Sequence, residues 1–325
     1  PMPFCLVSND VSANKLVIMP AYWFMYNMYA LARNAAKYAD RDKRSKKLQH
    51  IEYSFLAPDS VNEIFTALDL LRKFTAHAVK PELKGANDAI AIAEGERLLN
   101  DPAVDFRDVE IHAEGFECTN RPTQIIKAKE AYDIYKKLVV YYAVEQICQL
   151  ITQKDLSTFD ALQEALPKDT HRSEWVNIGG QLLPKSTLQS AFDNIKRGAI
   201  NSWNEVHAFY SHNSKAYPEQ KLQHAYASLL DLLQINPAEL TRDLFLSLLQ
   251  EALDFKVTMV QNIHVSRAKD YQNSFRAKVY DNEEEMEEVV GRLEDNAFIK
   301  QQQAELENFQ SLLAKINRQF AVAFA

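Results

Sequence analysis

Glycine is scarce in this chain: 7 of 325 residues, where average usage would give roughly 23. Glycine supplies the left-handed backbone positions of tight turns and bulges. A β-sandwich, a barrel, a β-solenoid or a doubly wound nucleotide-binding sheet needs many such positions. The shortage therefore favours long helices joined by few loops. It also removes the glycine-rich phosphate cradles, since neither G-x-G-x-x-G nor G-x-x-x-x-G-K-[ST] occurs.

Cysteine is nearly as rare. Cys5, Cys118 and Cys148 are scattered and odd in number, so no disulfide framework or C-x-x-C site follows, and a reducing cytoplasm suits the chain. The sequence has no signal peptide and no long apolar run. The most apolar stretch, Leu16 to Ala32, holds Pro20 and Asn27 and is short for a bilayer, so it reads as a core segment and no membrane partner is expected. Metal motifs are missing too. The eight histidines include no pair four apart and no H-E-x-x-H, and no metal or other cofactor is called for. There is no G-x-S-x-G elbow for a nucleophile. The chain starts at Pro1, which suggests a piece of a longer protein.

What is present is ordinary globular composition, 47% hydrophobic and 25% charged, enough for a real core. The net charge of −7 is unevenly spread. Asp281 to Asp295 alone holds eight acids and one base, while Arg33 to Lys47 holds seven bases and two acids. With the acids in excess and no extended basic stripe, nucleic acid is not an expected partner.

Helical spacing dominates the pattern. After an extended or β lead-in over residues 1–20, Pro20 opens a helix that is apolar all round from Ala21 to Ala39. Ser60 and Glu63 form a capping-box pattern. Further helices are predicted over 85–99, 122–151, 157–166, 185–211, 218–233, and from Asn236-Pro237 to about Phe275, with a last one from about Asp281. Val109 to Ala113 alternates and allows a short strand. Leu306, Phe309, Leu313, Ile316, Phe320 and Ala323 form a packing seam. His171 to Pro184, with the Gly179-Gly180 pair, is the one clear break. The prediction is a mainly α, irregular multi-helix bundle. It has a helical half over 21–170, a loop or hinge over 171–184, and a second half over 185–325 with a long C-terminal helix. The glycine pair is either a tight turn or a place where backbone comes close to a ligand.

Two basic constellations are candidate anion sites: Arg33, Arg41 and Arg44, and Arg267, Lys269 and Arg276. A guanidinium grips two oxygens at once, which suits phosphate or carboxylate recognition and equally suits interhelical ion pairs. Asp270 and Glu52 are available for proton transfer beside them. The acidic run from Glu283 is either a favourable helix start or a dock for a basic surface.

The strings Met19 to Asn34, Asp40 to Arg44, Gln49 to Tyr53, Ser266 to Tyr271 with Phe275-Arg276, and Tyr280 to Met286 with Gly291 and Asp295-Asn296 resemble an uncharacterised bacterial protein family. The resemblance implies a left-handed β-helix of hexapeptide repeats, similar to UDP-N-acetylglucosamine acyltransferases, followed by a helical C-terminal half. This chain resembles that half alone. It contains no hexapeptide repeat, so no catalytic or acyl-donor residue carries over to it. Three functions are therefore expected in turn. The first is a non-catalytic accessory module packing on an upstream β-helix domain of the same protein. The second is an independent binding or enzyme domain for a phosphosugar or nucleotide sugar, held through the arginines. The third is an interaction scaffold or homo-oligomer using the acidic helix and the Leu306 to Phe320 seam.

Overall fold

The structure is a computed structural model describing residues 2–273, 275 and 278–321, and of Cys118 the backbone alone. It is mainly α with a short β lead-in. Contacts divide the chain into two units, each discontinuous in sequence. Unit 1 comprises Pro1–Tyr26 and Ser60–Leu138, and unit 2 comprises Asn27–Asp59 and Val139–Ala325.

Unit 1 carries a four-stranded sheet. Strands β1 (Leu6–Asp10) and β2 (Lys15–Met19) form an antiparallel hairpin. β2 then pairs in parallel with β4 (Thr123–Ile125), and β3 (Ile111–His112) closes the order β1-β2-β4-β3. Leu16 and Ile18 point inward on β2 while its other residues are half-buried, the period-2 pattern of a strand with one covered face. Helix α1 (Tyr22–Tyr26) follows. Helices α3 (Pro58–Val79), α4 (Asp88–Asn100) and α5 (Ala128–Lys154) supply the rest, and the division between units falls inside α3 and α5. On α5, the Tyr135 hydroxyl donates to the Pro3 carbonyl at 2.6 Å and accepts from the Ala21 N–H at 3.2 Å. One phenol thus satisfies two backbone groups of the lead-in that no ladder reaches.

Unit 2 begins with α2 (Met28–Arg41). Residues 42–57 then run without regular secondary structure as a strap. Beyond α5 come α6 (Phe159–Ala165), the β5–β6 hairpin (Trp175–Ile178 and Gln181–Pro184), α7 (Lys185–Lys196), α8 (Trp203–Leu233), α9 (Arg242–Gln272), α10 (Glu283–Val290) and α11 (Ala297–Ala321). Helix α9 is the hub, packed by α2 and α11. It buries Phe245, Leu248, Leu249, Ala252, Phe255, Met259, Val260 and Ile263, the three-four spacing of an inward stripe. Phe159, Phe245 and Phe320 stack with centroids 6.0–6.2 Å apart.

Several boundaries move from the sequence expectation. The first helix breaks at Asn27, whose backbone leaves the helical region. Ser60 lies inside α3, which already starts at Pro58. Thr123–Ile125 is a strand, because its N–H and C=O groups find partners on β2 and β3. Pro218 sits inside α8 and does not start a new helix. The Asn236-Pro237 turn is an isolated 3-10 turn, and α9 starts instead at the Thr241 cap. The acidic run forms α10, which Asn282 caps and Gly291 ends with φ 75°, so α11 is a separate helix. Residues 171–184 are not the place where the units divide. They include the β5–β6 hairpin, within unit 2. Of the C-terminal seam, Leu313, Ile316 and Phe320 are buried in unit 2.

Gly95 on α4 is a point of close approach. A Cβ there would sit 1.8 Å from the Arg72 carbonyl oxygen of α3. Alanine is the better helix former by about 1 kcal/mol, but backbone cannot yield locally as a side chain can. Gly95→Ala should therefore destabilise unit 1 by about 2–3 kcal/mol, the range of overpacking, read as a lowered urea midpoint. A raised midpoint would refute this packing.

Candidate functional site

The strap that leaves α2 is rich in polar side chains and has no ladder of its own. It is fixed through side chains of unit 2. Asp42 accepts two bonds from the Arg44 guanidinium, Nε at 2.8 Å and Nη2 at 2.9 Å, and Arg44 Nη1 also donates to the Gln49 carbonyl. That guanidinium holds the Asp42 carboxyl well below the usual carboxylate range. Ser214 of α8 donates to the Leu48 carbonyl and accepts from the His50 N–H at 2.8 Å. The Gly179-Gly180 turn of the hairpin lies against Ile51, where a Cβ on Gly180 would meet Ile51 Cδ1 at 2.7 Å. The pair is thus a tight turn with φ 61° and 95°, and its close neighbour at Gly180 is the chain itself.

Further along, the strap is held at Glu52. Its Oε2 accepts from Lys221 Nζ at 2.7 Å and from the Tyr217 hydroxyl, and its Oε1 accepts from the Ser54 N–H. Tyr217 and Lys221 are four apart on α8, so one helix face presents both. Glu52 and Lys221 side chains are only 12% and 11% exposed. Burial would raise the Glu52 carboxyl, but Lys221, Tyr217 and Ser54 outweigh it and the group is lowered. Burial, then the Glu52 charge, pushes Tyr217 upward, so it stays a neutral donor. Around the cluster, Trp175 and Tyr217 stack at 5.9 Å and His50 covers Tyr217 at 4.6 Å. Tyr142 Oη and His224 Nδ1 lie 3.4 Å apart. Burial, then the charge of Arg172, lowers His224 to about 3.

Next to this cluster, unit 2 contains a cavity of about 310 Å³, walled by α2, the strap, α5, α9 and α11. Met28, Phe55, Ile263 and Phe298 supply apolar wall, and Tyr141, Glu145, Lys256 and Glu305 supply polar wall. Tyr141 and Glu145 are four apart on α5, with the phenol 3.4 Å from the carboxylate oxygen. Burial raises the Glu145 carboxyl above its ordinary value, against the lowering pull of Lys221 and Lys256. Tyr141 is raised by burial and by Glu145 and stays neutral. The Lys256 side chain is 14% exposed, and its ammonium meets Glu305 at only 3.9 Å. An apolar pocket with a few convergent polar groups and a perturbed carboxyl is the usual form of a small-molecule site.

The residues singled out from the sequence go to three places. Arg33 and Arg267 converge on one aromatic pair: Arg33 lies over Phe298 at 5.5 Å, Arg267 over Tyr29 at 5.2 Å, and the two rings are 5.7 Å apart. Arg267 is paired with Asp270, and its buried Nε has no hydrogen-bond partner. Arg44 and Glu52 belong to the strap. Arg41 is exposed at the end of α2, Lys269 is exposed on α9, and Arg276 lies outside the described residues. The cavity residues Tyr141, Glu145 and Lys256 were not expected. Their signal was a lone glutamate in the apolar run Leu138 to Ile147, and a lysine inside the buried stripe of α9.

Cys148 is buried and pushed up to about 12 by burial, so it is inert as a nucleophile. Among the described residues no group of three metal-ligating side chains occurs, and no helix is long and apolar enough to cross a membrane.

Fold and site together define a mainly α protein with a buried ion pair beside a polar-ended cavity. Residues 160–320 match the family model described as a domain of unknown function (DUF6819). That span includes Tyr217, Lys221, Lys256 and Glu305, while Glu52, Tyr141 and Glu145 precede it. The chain is also similar to an uncharacterized protein of Treponema pallidum (strain Nichols), 33% identical over 317 residues. The alignment covers 97% of this chain and 42% of that relative, so the chain spans about two fifths of the relative's length. No solved structure matches the chain.

Removing Lys221 leaves Glu52 charged and buried. Lys221→Met should cost about 3–5 kcal/mol, read from urea unfolding at neutral pH. Wild-type-like stability would show the pair to be unimportant. His224 gives a second check. Its folded value of about 3 lies below its ordinary 6.5, so the unfolded chain binds the extra proton and stability falls as pH drops from about 6.5 towards 3. His224→Gln should flatten the part of that fall between pH 6.5 and 5, where carboxylates contribute least, and an unchanged slope would refute the assignment.

Proposed function

We propose that the chain is the helical, ligand-binding accessory module of a longer, sugar-nucleotide acyltransferase-like protein, without turnover of its own. The observation that carries the binding part is the cavity, with Glu145 and Lys256 among apolar walls. The accessory part draws support from the relative, of which this chain spans about two fifths, and from the family resemblance, which puts a β-helix domain upstream. In that arrangement the module closes the end of the β-helix or shapes access to its substrate. The unpaired thiols of Cys5 and Cys148 suit a cytoplasmic setting.

A second reading draws on the convergence of Arg33 and Arg267 at the Tyr29–Phe298 pair. Two guanidiniums flanking aromatic faces suit a phosphosugar or nucleotide sugar. Against it stands the pairing of Arg267 with Asp270.

Methionine methyl NMR tests the cavity directly, because Met28 and Met259 line it and Met286 does not. Adding 1-octanol should shift the Met28 and Met259 methyl signals and leave Met286 in place. Ala32→Phe, which fills the cavity, should abolish the shifts. No shift at either methyl overturns the cavity reading. Steady-state turnover of UDP-N-acetylglucosamine with an acyl thioester by this chain alone overturns the accessory reading. For the second reading, glucose 6-phosphate should raise the melting temperature of the wild type and not of Arg267→Ala.

A further inference from the structure

A second concavity in unit 2 lies on another face of α5. It is a trough of about 610 Å³ between α5, residues 165–169 and α8, a volume in the common range of small-molecule sites. Leu150, Pro167, Pro218 and Leu222 supply apolar wall. Gln146, Gln149 and Gln153 follow one another on α5 at spacings of three and four residues, so one helix face presents three amides to the trough. Gln146 is only 5% exposed. Its one hydrogen bond runs from Nε2 to Glu145 at 3.5 Å, long for such a bond, and its amide oxygen has no partner among the described residues.

Lysines supply the charge. Lys154, Lys168 and Lys215 reach the trough from its three separate walls. Elsewhere Lys73, Lys80, Lys127, Lys129 and Lys185 each meet a carboxylate at 2.6–2.9 Å. The three at the trough make no ion pair among the described residues, and Lys168 donates only to the Gln163 carbonyl at 3.4 Å. Bringing like charges to one concavity costs Coulomb energy that a bound anion recovers. Two carboxylates stand beside them. Asp169 is occupied by the Gln223 amide at 2.7 Å and the His171 N–H at 2.9 Å, whereas Glu219 has no such partner among the described residues. Three ammoniums against two carboxylates leave a single net positive charge. One carboxylate balances it, and a phosphate ester with about two negative charges overshoots. A bare anion would leave the amides and Glu219 unmatched. A hydroxyl both donates and accepts, so it pairs with either side of an amide and donates to Glu219.

We propose that this trough binds a polyhydroxylated monocarboxylate, a sugar acid. Lys154, Lys168 and Lys215 hold its carboxylate, and Gln146, Gln149, Gln153 and Glu219 hold its hydroxyls. Its C–H groups lie on Leu150 and Leu222, which removes apolar surface from water. The trough is distinct from the cavity beside Glu145, so neither reading depends on the other.

Calorimetric titration of the full chain with D-glucuronate tests the proposal. D-glucuronate should bind about tenfold or more tightly than glucose, which lacks the charge, and than acetate, which lacks the hydroxyls. An equal concentration of glucose 6-phosphate should leave most of it bound. Replacing Lys154 and Lys215 together, Lys154→Gln with Lys215→Gln, should weaken D-glucuronate by about tenfold. Both side chains are exposed, so the urea midpoint should stay at the wild-type value. Lys269→Gln, exposed on α9 and outside the trough, should leave the affinity unchanged. The Met28 and Met259 methyl signals should not move, which separates this site from the cavity. Absence of D-glucuronate binding, or binding kept in the double variant, overturns the site. Acetate binding as tightly as D-glucuronate, or displacement of D-glucuronate by glucose 6-phosphate, overturns the class of ligand.

Discussion

The buried pair of Glu52 and Lys221 is the contact on which the arrangement of unit 2 depends. Two charges taken out of water cost several kcal/mol each unless every lone pair and proton is met. Here the carboxylate accepts from Lys221, Tyr217 and the Ser54 N–H, so the cost is offset. Glu52 lies within a strap that has no hydrogen-bonded ladder. Together with Ser214, which bonds the strap at Leu48 and His50, it defines the path of residues 42–57 across α8. Because Ser54, Phe55 and Leu56 follow immediately and wall the cavity, the ion pair also sets the shape of the candidate site.

The same low-dielectric surroundings act in opposite directions on two neighbouring glutamates. Glu52 has a lysine at bonding distance and stays ionised. Glu145 has cations nearby, yet burial outweighs their pull and raises its carboxyl, which accepts from the Tyr141 hydroxyl. Two carboxyls of one kind are thereby shifted in opposite directions, one at the end of α8's polar face and one at a cavity. Environments that push titratable groups apart in this way are typical of functional sites and less typical of cores that only pack.

Helix type was legible in the sequence wherever the apolar spacing was strong. The Leu313, Ile316 and Phe320 positions of α11 could be read directly, and all three are buried. Boundaries were less legible where tertiary partners decided. Thr123 to Ile125 has residues that fit a helix start, yet it is a strand because β2 lies alongside. Pro218 reads as a helix breaker, yet α8 runs through it. Of the site, Glu52, Arg33 and Arg267 were noticed as charges in a pattern. Their partners were not, because Glu52 and Lys221 are 169 positions apart in the chain. Glu145 and Lys256 passed as ordinary helix residues, since a single charged residue in an apolar helix gives no sign of what it faces.

Sequence alone therefore determined the class of fold. Few glycines and a three-four apolar period leave little choice but helices, because backbone geometry and burial act locally. It also marked the buried seam of α11, but not that of α2, which was expected to be apolar all round and buries only Met28 and Ala32. Only the tertiary structure decided which arginines converge, where the strap is fastened, and that a lysine and a glutamate on different helices open onto one cavity. Those outcomes depend on distances between residues far apart in the chain, and composition and spacing carry no record of such distances.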